Sequence, residues 1–214
     1  MLISPSVLTA DLLELKDSIK TLESAGADML HLDVMDGNFV PNISFGLPVV
    51  ESIKKHTKLP LDVHLMIDQP LRYIERFAKF SDYLGFHFEA GSPVEETLLK
   101  IRSLGVKSCL TIKPATAPED IFDYLPLCDM VLVMSVEPGF GGQKFLPSAL
   151  DKLSKLRDEI NRRGLATILE VDGGINETTA PLAASAGADV LVVGNYLFSA
   201  DDMALRVREI KALA

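Results

Sequence analysis

Cysteine is scarce in this chain: Cys109 and Cys128 are the only two, and both fall inside apolar runs. A disulfide framework is thereby excluded, and the pair reads as reduced core residues. No apolar run is long enough to cross a bilayer as a helix. The opening residues, Met1-Leu2-Ile3-Ser4-Pro5, lack the basic and apolar regions of a signal peptide, so a cytoplasmic location is expected. Positive charge is in deficit: 21 Lys and Arg stand against 30 Asp and Glu, a net charge of −9. That sign argues against nucleic acid or a membrane surface as a partner, and any phosphate site must be built locally. A dinucleotide-binding fingerprint is also missing after the first strand-like run. What the chain does have is apolar residues, 48% of 214, ample for a core.

Those residues are arranged in a steady alternation. Apolar, strand-like runs fall near 2–6, 29–33, 61–66, 83–87, 107–112, 130–134, 166–171 and 189–193. Helix-like segments follow each of them, near 11–24, 47–55, 70–79, 93–104, 118–124, 147–163, 177–186 and 201–213. Pro70 is placed as a first-turn proline and Gly105 as a helix-ending glycine. Unbroken apolar strands alternating with helices predict a parallel sheet covered by helices. Eight such units, with short links and no break in composition, close most economically into a (β/α)8 barrel of class α/β, a single domain over 1–214.

A barrel of this kind carries its chemistry at the carboxyl ends of its strands. His31-Leu32-Asp33-Val34-Met35 ends the second strand, and the period of two puts His31, Asp33 and Met35 on one face. The third strand repeats the device with His64 and Met66, and the seventh ends on Asp172. Taken singly, each histidine reads as a satisfied, half-buried residue. Taken together at neighbouring strand ends, His31, Asp33, His64 and Asp172 form a nitrogen and oxygen set suited to one divalent cation, Zn²⁺, Fe²⁺, Mn²⁺ or Co²⁺, and poorly suited to Ca²⁺. Asp36 points to the other face and is expected to serve a turn. His87 and Glu89, after the fourth strand, read as a surface or supporting pair, and Asp62 and Glu170 lie one step deeper than His64 and Asp172.

Phosphate has its own candidates. Glu137-Pro138-Gly139-Phe140-Gly141-Gly142-Gln143 follows the sixth strand, Gly173-Gly174 the seventh and Gly194-Asn195 the eighth. Glycines let backbone N–H groups turn toward an anion, and barrels often hold phosphate after their last two strands. Backbone donors also need no lysine, which meets the objection raised by the net charge.

Five stretches together are specific: Ser4 to Leu8, His31 to Asn42, Asp62 to Met66, Met134 to Gln143 and Glu170 to Gly174. In these, in this order and over nearly its whole length, the chain resembles the ribulose-phosphate 3-epimerases. The resemblance implies a metal-dependent isomerase of the pentose phosphate pathway, acting on a phosphorylated ketopentose and forming a homo-oligomer. It implies epimerisation at C3, D-ribulose 5-phosphate to D-xylulose 5-phosphate, by acid–base transfer between Asp33 and Asp172 through a metal-stabilised enediolate. It further implies metal ligation by His31, Asp33, His64 and Asp172. Substrate contacts would come from Ser6, His64, Gly139, Phe140, Gly141, Gly142, Asp172, Gly173, Gly174, Gly194 and Asn195, and Met35, Met66 and Met134 would wall the intermediate. One departure stands out: the family commonly has serine after the glycine that follows the eighth strand, and this chain has Asn195.

Two other activities fit parts of the pattern. A D-allulose-6-phosphate 3-epimerase would use the same metal and the same acid–base pair on a sugar one carbon longer. A Schiff-base aldolase would use Lys113, at the end of the fifth strand, as its nucleophile.

Overall fold

The computed structural model describes residues 1–213. Eight strands form one all-parallel sheet: β1 (Leu2–Pro5), β2 (Leu30–Met35), β3 (Leu61–Met66), β4 (Tyr83–His87), β5 (Lys107–Ile112), β6 (Met130–Met134), β7 (Ile168–Asp172) and β8 (Val190–Val193). Each strand pairs with its neighbour in sequence, and β1 pairs with β8. The remaining edges, β1 and β2, meet through a parallel bridge between Ser6 and His31, and the Asp28 N–H donates to the Ile3 carbonyl at 3.0 Å. The sheet therefore closes on itself and leaves no long edge unpaired.

Helices cover the outside: α1 (Leu15–Ala25), α2 (Leu47–His56), α3 (Ile74–Phe77), α4 (Val94–Ser103), α5 (Ser148–Arg163), α6 (Thr179–Ser185), α7 (Asn195–Phe198) and α8 (Met203–Leu213). None among the described residues is long and apolar enough to cross a membrane. Alternation along each strand sorts the apolar side chains into separate layers. Leu32, Val34, Val63, Leu65, Leu84, Phe86, Val131 and Val133 face outward and join the helices in the main core. Met29, Tyr83, Cys109, Met130, Leu132, Met134 and Val190 face inward and plug the barrel, with Met35, Val40 and Met66 forming a small group near its mouth. Both cysteines are buried and free, and burial raises their thiols out of the reactive range.

The strands lie close to where periodicity puts them, and the helices are where expectation and structure part. The segment after β3 breaks into a 3₁₀ turn, Pro70–Arg72, and the short α3, which stops before Lys79. The segment after β5 is 3₁₀ throughout, Pro118–Leu127, and its Pro126 has no N–H with which to continue an α-helix. The first helix starts four residues later than expected, because the Asp11 carboxylate accepts the Leu13 N–H at 2.9 Å and holds a turn there. The short α7, which begins on Asn195, was not expected at all.

Candidate active site

The register of β2 against β3 sets the floor of the site: His31 lies opposite Asp62, and Asp33 opposite His64. All four side chains point into the barrel and are buried. His64 Nδ1 lies 3.2 Å from Asp33 Oδ1 and 3.3 Å from His31 Nε2. From the far side of the ring Asp172 reaches in, its Oδ2 4.0 Å from His31 Nε2. One ligand atom from each of His31, Asp33, His64 and Asp172 falls within 4.8 Å of the other three. Three separate chain segments thus converge on one point.

Support lies directly beneath. His31 Nδ1 donates to Asp62 Oδ2 at 2.5 Å, and Glu170 Oε1 lies 3.9 Å from the same nitrogen. Neither oxygen of Glu170 has a hydrogen-bond partner among the described residues. Ser6 donates its hydroxyl to Asp33 Oδ2 at 2.6 Å. Sequence patterning places Asp62 on the correct face of β3, yet nothing in the sequence pairs it with His31.

Crowded, dry charges shift one another. Burial pulls the His31 imidazole down, but Asp62 and Asp33 outweigh it and hold the ring protonated well above its usual range. His31 then donates from both nitrogens, Nδ1 to Asp62 and Nε2 toward Asp33 and His64. Burial pushes Asp33 up, but His31 and His64 overcome this and leave it ionised, far below an ordinary carboxylic acid. Burial, then the Asp33 charge, push Asp172 up to about 7. Burial and the nearby Asp62 raise Glu170 well above its normal value. His64 is lowered, chiefly by burial. The repulsion recorded at Asp172 and Glu170 is what a divalent cation among these carboxylates would relieve. Imidazole nitrogens and carboxylate oxygens are also the donors that such a cation takes, so the residues fit a metal.

Above the floor opens a cavity of about 240 Å³. Ser6, Asp33 and Asp172 reach it, Met35, Met66 and Met134 form an apolar wall, and Gly139, Phe140, Gly141, Gly142, Gly173, Gly174, Gly194 and Asn195 form the rim. His31 and His64 lie beneath this wall rather than on it. Among the described residues, no lysine or arginine lines the cavity. Close approach explains two of the glycines. A Cβ on Gly142, at φ 75°, would sit 2.6 Å from the Asn195 amide nitrogen, and one on Gly174, at φ 64°, would strike the Phe145 backbone, 2.8 Å from its Cα. Asn195 thus reaches across to the loop after β6. Thr9, Val136, Ile175 and Asn176 also line the cavity and carry no sequence signal that singles them out.

Three further residues resolve differently from one another. Asp36 serves a turn as expected, accepting the Asn38 and Phe39 N–H groups at 2.8 and 2.9 Å. His87 is no surface residue: it is 1% exposed, and its Nε2 lies 2.9 Å from His64 Nε2. Being the last residue of β4, it faces inward like Gly85 and Tyr83, and burial lowers it to about 4. Lys113 lies off the cavity, with its ammonium 3.8 Å from the centre of the Phe39 ring.

Comparison with known proteins agrees with this architecture. The model of the ribulose-phosphate 3 epimerase family matches residues 2–198. The chain is 45% identical to the ribulose-phosphate 3-epimerase of Bacillus subtilis, over 98% of this chain and 97% of that protein. It is 44% identical to the enzyme of that name from Chlamydia pneumoniae, covering 96% and 91% of the two chains. It is also 44% identical to that of Methanocaldococcus jannaschii, covering 99% and 90%. Among solved structures, a 3-hexulose-6-phosphate synthase superposes with a TM-score of 0.72 over 100% of this chain and 99% of its own, at 18% identity. At that identity the likeness speaks for the barrel alone.

Proposed function

The chain belongs to the ribulose-phosphate 3-epimerase family, and on that footing we propose that it interconverts D-ribulose 5-phosphate and D-xylulose 5-phosphate. The observation that carries this reading is the convergence of Asp33 and Asp172, from strands on different sides of the ring, on one buried point beneath an anion-sized rim.

Inverting C3 of a 2-ketose means removing the C3 proton and returning one to the opposite face. Asp33, held ionised, takes the proton, and the electron pair of the C–H bond moves into C2–C3 while the C2 carbonyl becomes an oxyanion. Asp172, across the site from Asp33, delivers a proton to C3 from the other side as the C2 carbonyl re-forms. The roles exchange in the reverse direction. Ser6 keeps Asp33 aimed through its hydroxyl. A divalent cation (Zn²⁺, Fe²⁺, Mn²⁺ or Co²⁺), held by His31, Asp33, His64 and Asp172, would supply Lewis-acid stabilisation of negative charge on the sugar oxygens. Met35, Met66 and Met134 keep water from the planar intermediate, a task suited to polarizable apolar side chains.

The phosphate falls to the rim. With no cationic side chain among the described residues lining the cavity, donors come from backbone N–H groups of Gly139 to Gly142, Gly173, Gly174 and Gly194, and from the Asn195 amide. Proton NMR of D-ribulose 5-phosphate in D₂O tests the whole reading. Metal-loaded protein should exchange the C3 hydrogen and build up the xylulose epimer, and should act more slowly on D-allulose 6-phosphate. Retention of the C3 hydrogen by both sugars would sink it.

A further inference from the structure

The loop after β6 gives the rim most of its backbone donors, and one side chain from elsewhere takes hold of it. Asn42, in the loop after β2, donates through Nδ2 to the Gly139 carbonyl at 2.7 Å. Gln143 bonds only within its own loop, donating through Nε2 to the Glu137 and Phe140 carbonyls at 2.6 and 2.9 Å. Among the described residues, the Asn42 bond is the one hydrogen bond that ties 137–143 to a different segment. A Cβ on Gly139 would stand 3.4 Å from Val40 Cβ, so the two loops touch where the bond forms.

Asn42 itself stands on a firm platform. Its carbonyl accepts the Gly37 N–H at 2.9 Å, and Asp36 accepts the Asn38, Phe39 and Asp68 N–H groups at 2.8, 2.9 and 2.7 Å. Val40 is buried with Met35 and Met66, and the Lys113 ammonium rests on the Phe39 ring. The donor is therefore fixed, and the glycine-rich partner is what the bond orders. A trans peptide points its C=O and the following N–H in opposite directions, and no peptide among the described residues is cis. Gly139 and Phe140 line the cavity, whereas Val40, Pro41 and Asn42 do not. Turning the Gly139 carbonyl outward to Asn42 thus turns the Phe140 N–H inward. Among the described residues, that N–H and those of Gly141 and Gly142 have no acceptor, which leaves them for an anion.

We infer that Asn42 is a positioning residue for the phosphate end of the site: from outside the cavity it holds the Gly139–Phe140 peptide with its N–H aimed inward. This rests on reading the rim as the seat of the substrate's phosphate, and it extends that reading to a side chain that touches no substrate.

The test compares full-length wild type with Asn42→Leu, which has a similar shape, no donor and no charge. Inorganic phosphate is the probe, its binding followed by ³¹P NMR with metal loaded and again in chelator, so that phosphate held by a metal is not counted. In Asn42→Leu the phosphate Kd and the KM for D-ribulose 5-phosphate should rise together by about 3–10-fold, the size of one lost hydrogen bond. Turnover at saturation should stay within about twofold, because the bond serves binding in ground and transition state alike. Chymotrypsin should cut more quickly after Phe140, which is 54% exposed. Asn42→Gln keeps an amide on a longer stem and should bind phosphate more tightly than Asn42→Leu; Asn42→Ala takes the place of the Leu variant if that one does not fold. An unchanged phosphate Kd in a folded Asn42→Leu or Asn42→Ala, a fall in turnover with KM unmoved, or Asn42→Gln no better than Asn42→Leu would each overturn the inference, as would a wild type that binds no phosphate. If wild type binds phosphate but leaves D-ribulose 5-phosphate unchanged, the epimerase reading fails, and phosphate affinity with the cleavage rate still decides the role of Asn42.

Discussion

Replacing Asp172 by asparagine should separate the cost of the site from its use. In the metal-free chain Asp172 is raised from 3.8 to about 7 by burial and by the Asp33 charge, with a side chain 19% exposed and its carboxylate 4.0 Å from His31. The folded protein therefore keeps a proton that the unfolded chain releases, and the native state binds more protons between these two values. Stability must fall as pH rises from about 4 to about 7. A shift of about three units, at about 1.4 kcal/mol each, puts the ceiling of that loss near 4 kcal/mol. Asparagine has nearly the same shape and cannot ionise, and no hydrogen bond of the Asp172 side chain is lost, since Ser135 bonds to the Asp172 backbone carbonyl. Urea unfolding in chelator at pH 5 and pH 8 should show Asp172→Asn flattening the pH dependence and exceeding wild type at pH 8. The same variant should lose at least about 10²–10⁴ in turnover, the usual worth of a positioned acid or base. A variant less stable than wild type at pH 8, or one that keeps wild-type turnover, would refute the reasoning.

Other consequences can be checked in the same preparations. Metal uptake must displace the His31 Nε2 proton and the Asp172 proton, so affinity should fall as pH drops below about 7, and calorimetry in buffers of different ionisation enthalpy should register the protons released. Asp62→Asn removes the anion that holds the His31 proton at Nδ1 and should weaken metal binding by about 10–100-fold while leaving a folded barrel, read by titration and circular dichroism. Gly174→Ala forces a side chain into φ 64° and against the Phe145 backbone, so it should cost about 1–3 kcal/mol in urea unfolding and raise KM for the phosphorylated sugar.

Much of the barrel was legible because its signals are local. Fully buried parallel strands read as short apolar runs, and β3, β4, β5 and β6 lie where those runs place them. The helical layer was less legible, since in a proline-bearing stretch such as Pro118–Leu127 the missing N–H of Pro126 interrupts the α-helical ladder and the turns close with 3₁₀ bonds. The inward faces of His31, Asp33, His64, Met35 and Met66 followed from a period of two, which the pleat of any strand imposes. His87 obeys the same period, yet the sequence leaves it open as a surface or a supporting residue, because one histidine at a strand end does not reveal what will cover it.

The chain by itself determined which residues share a strand face, where glycines free the backbone, and which family's motifs it carries. Tertiary structure alone decided which faces meet: the register that sets His31 opposite Asp62, the closure that brings Asp172 across to Asp33, the contact of His87 with His64, and the displacement of Lys113 onto Phe39. The reason is the range of the forces. Periodicity and turn chemistry act over a few residues, whereas register and closure are set by burying the whole apolar surface at once, and no single segment contains that information.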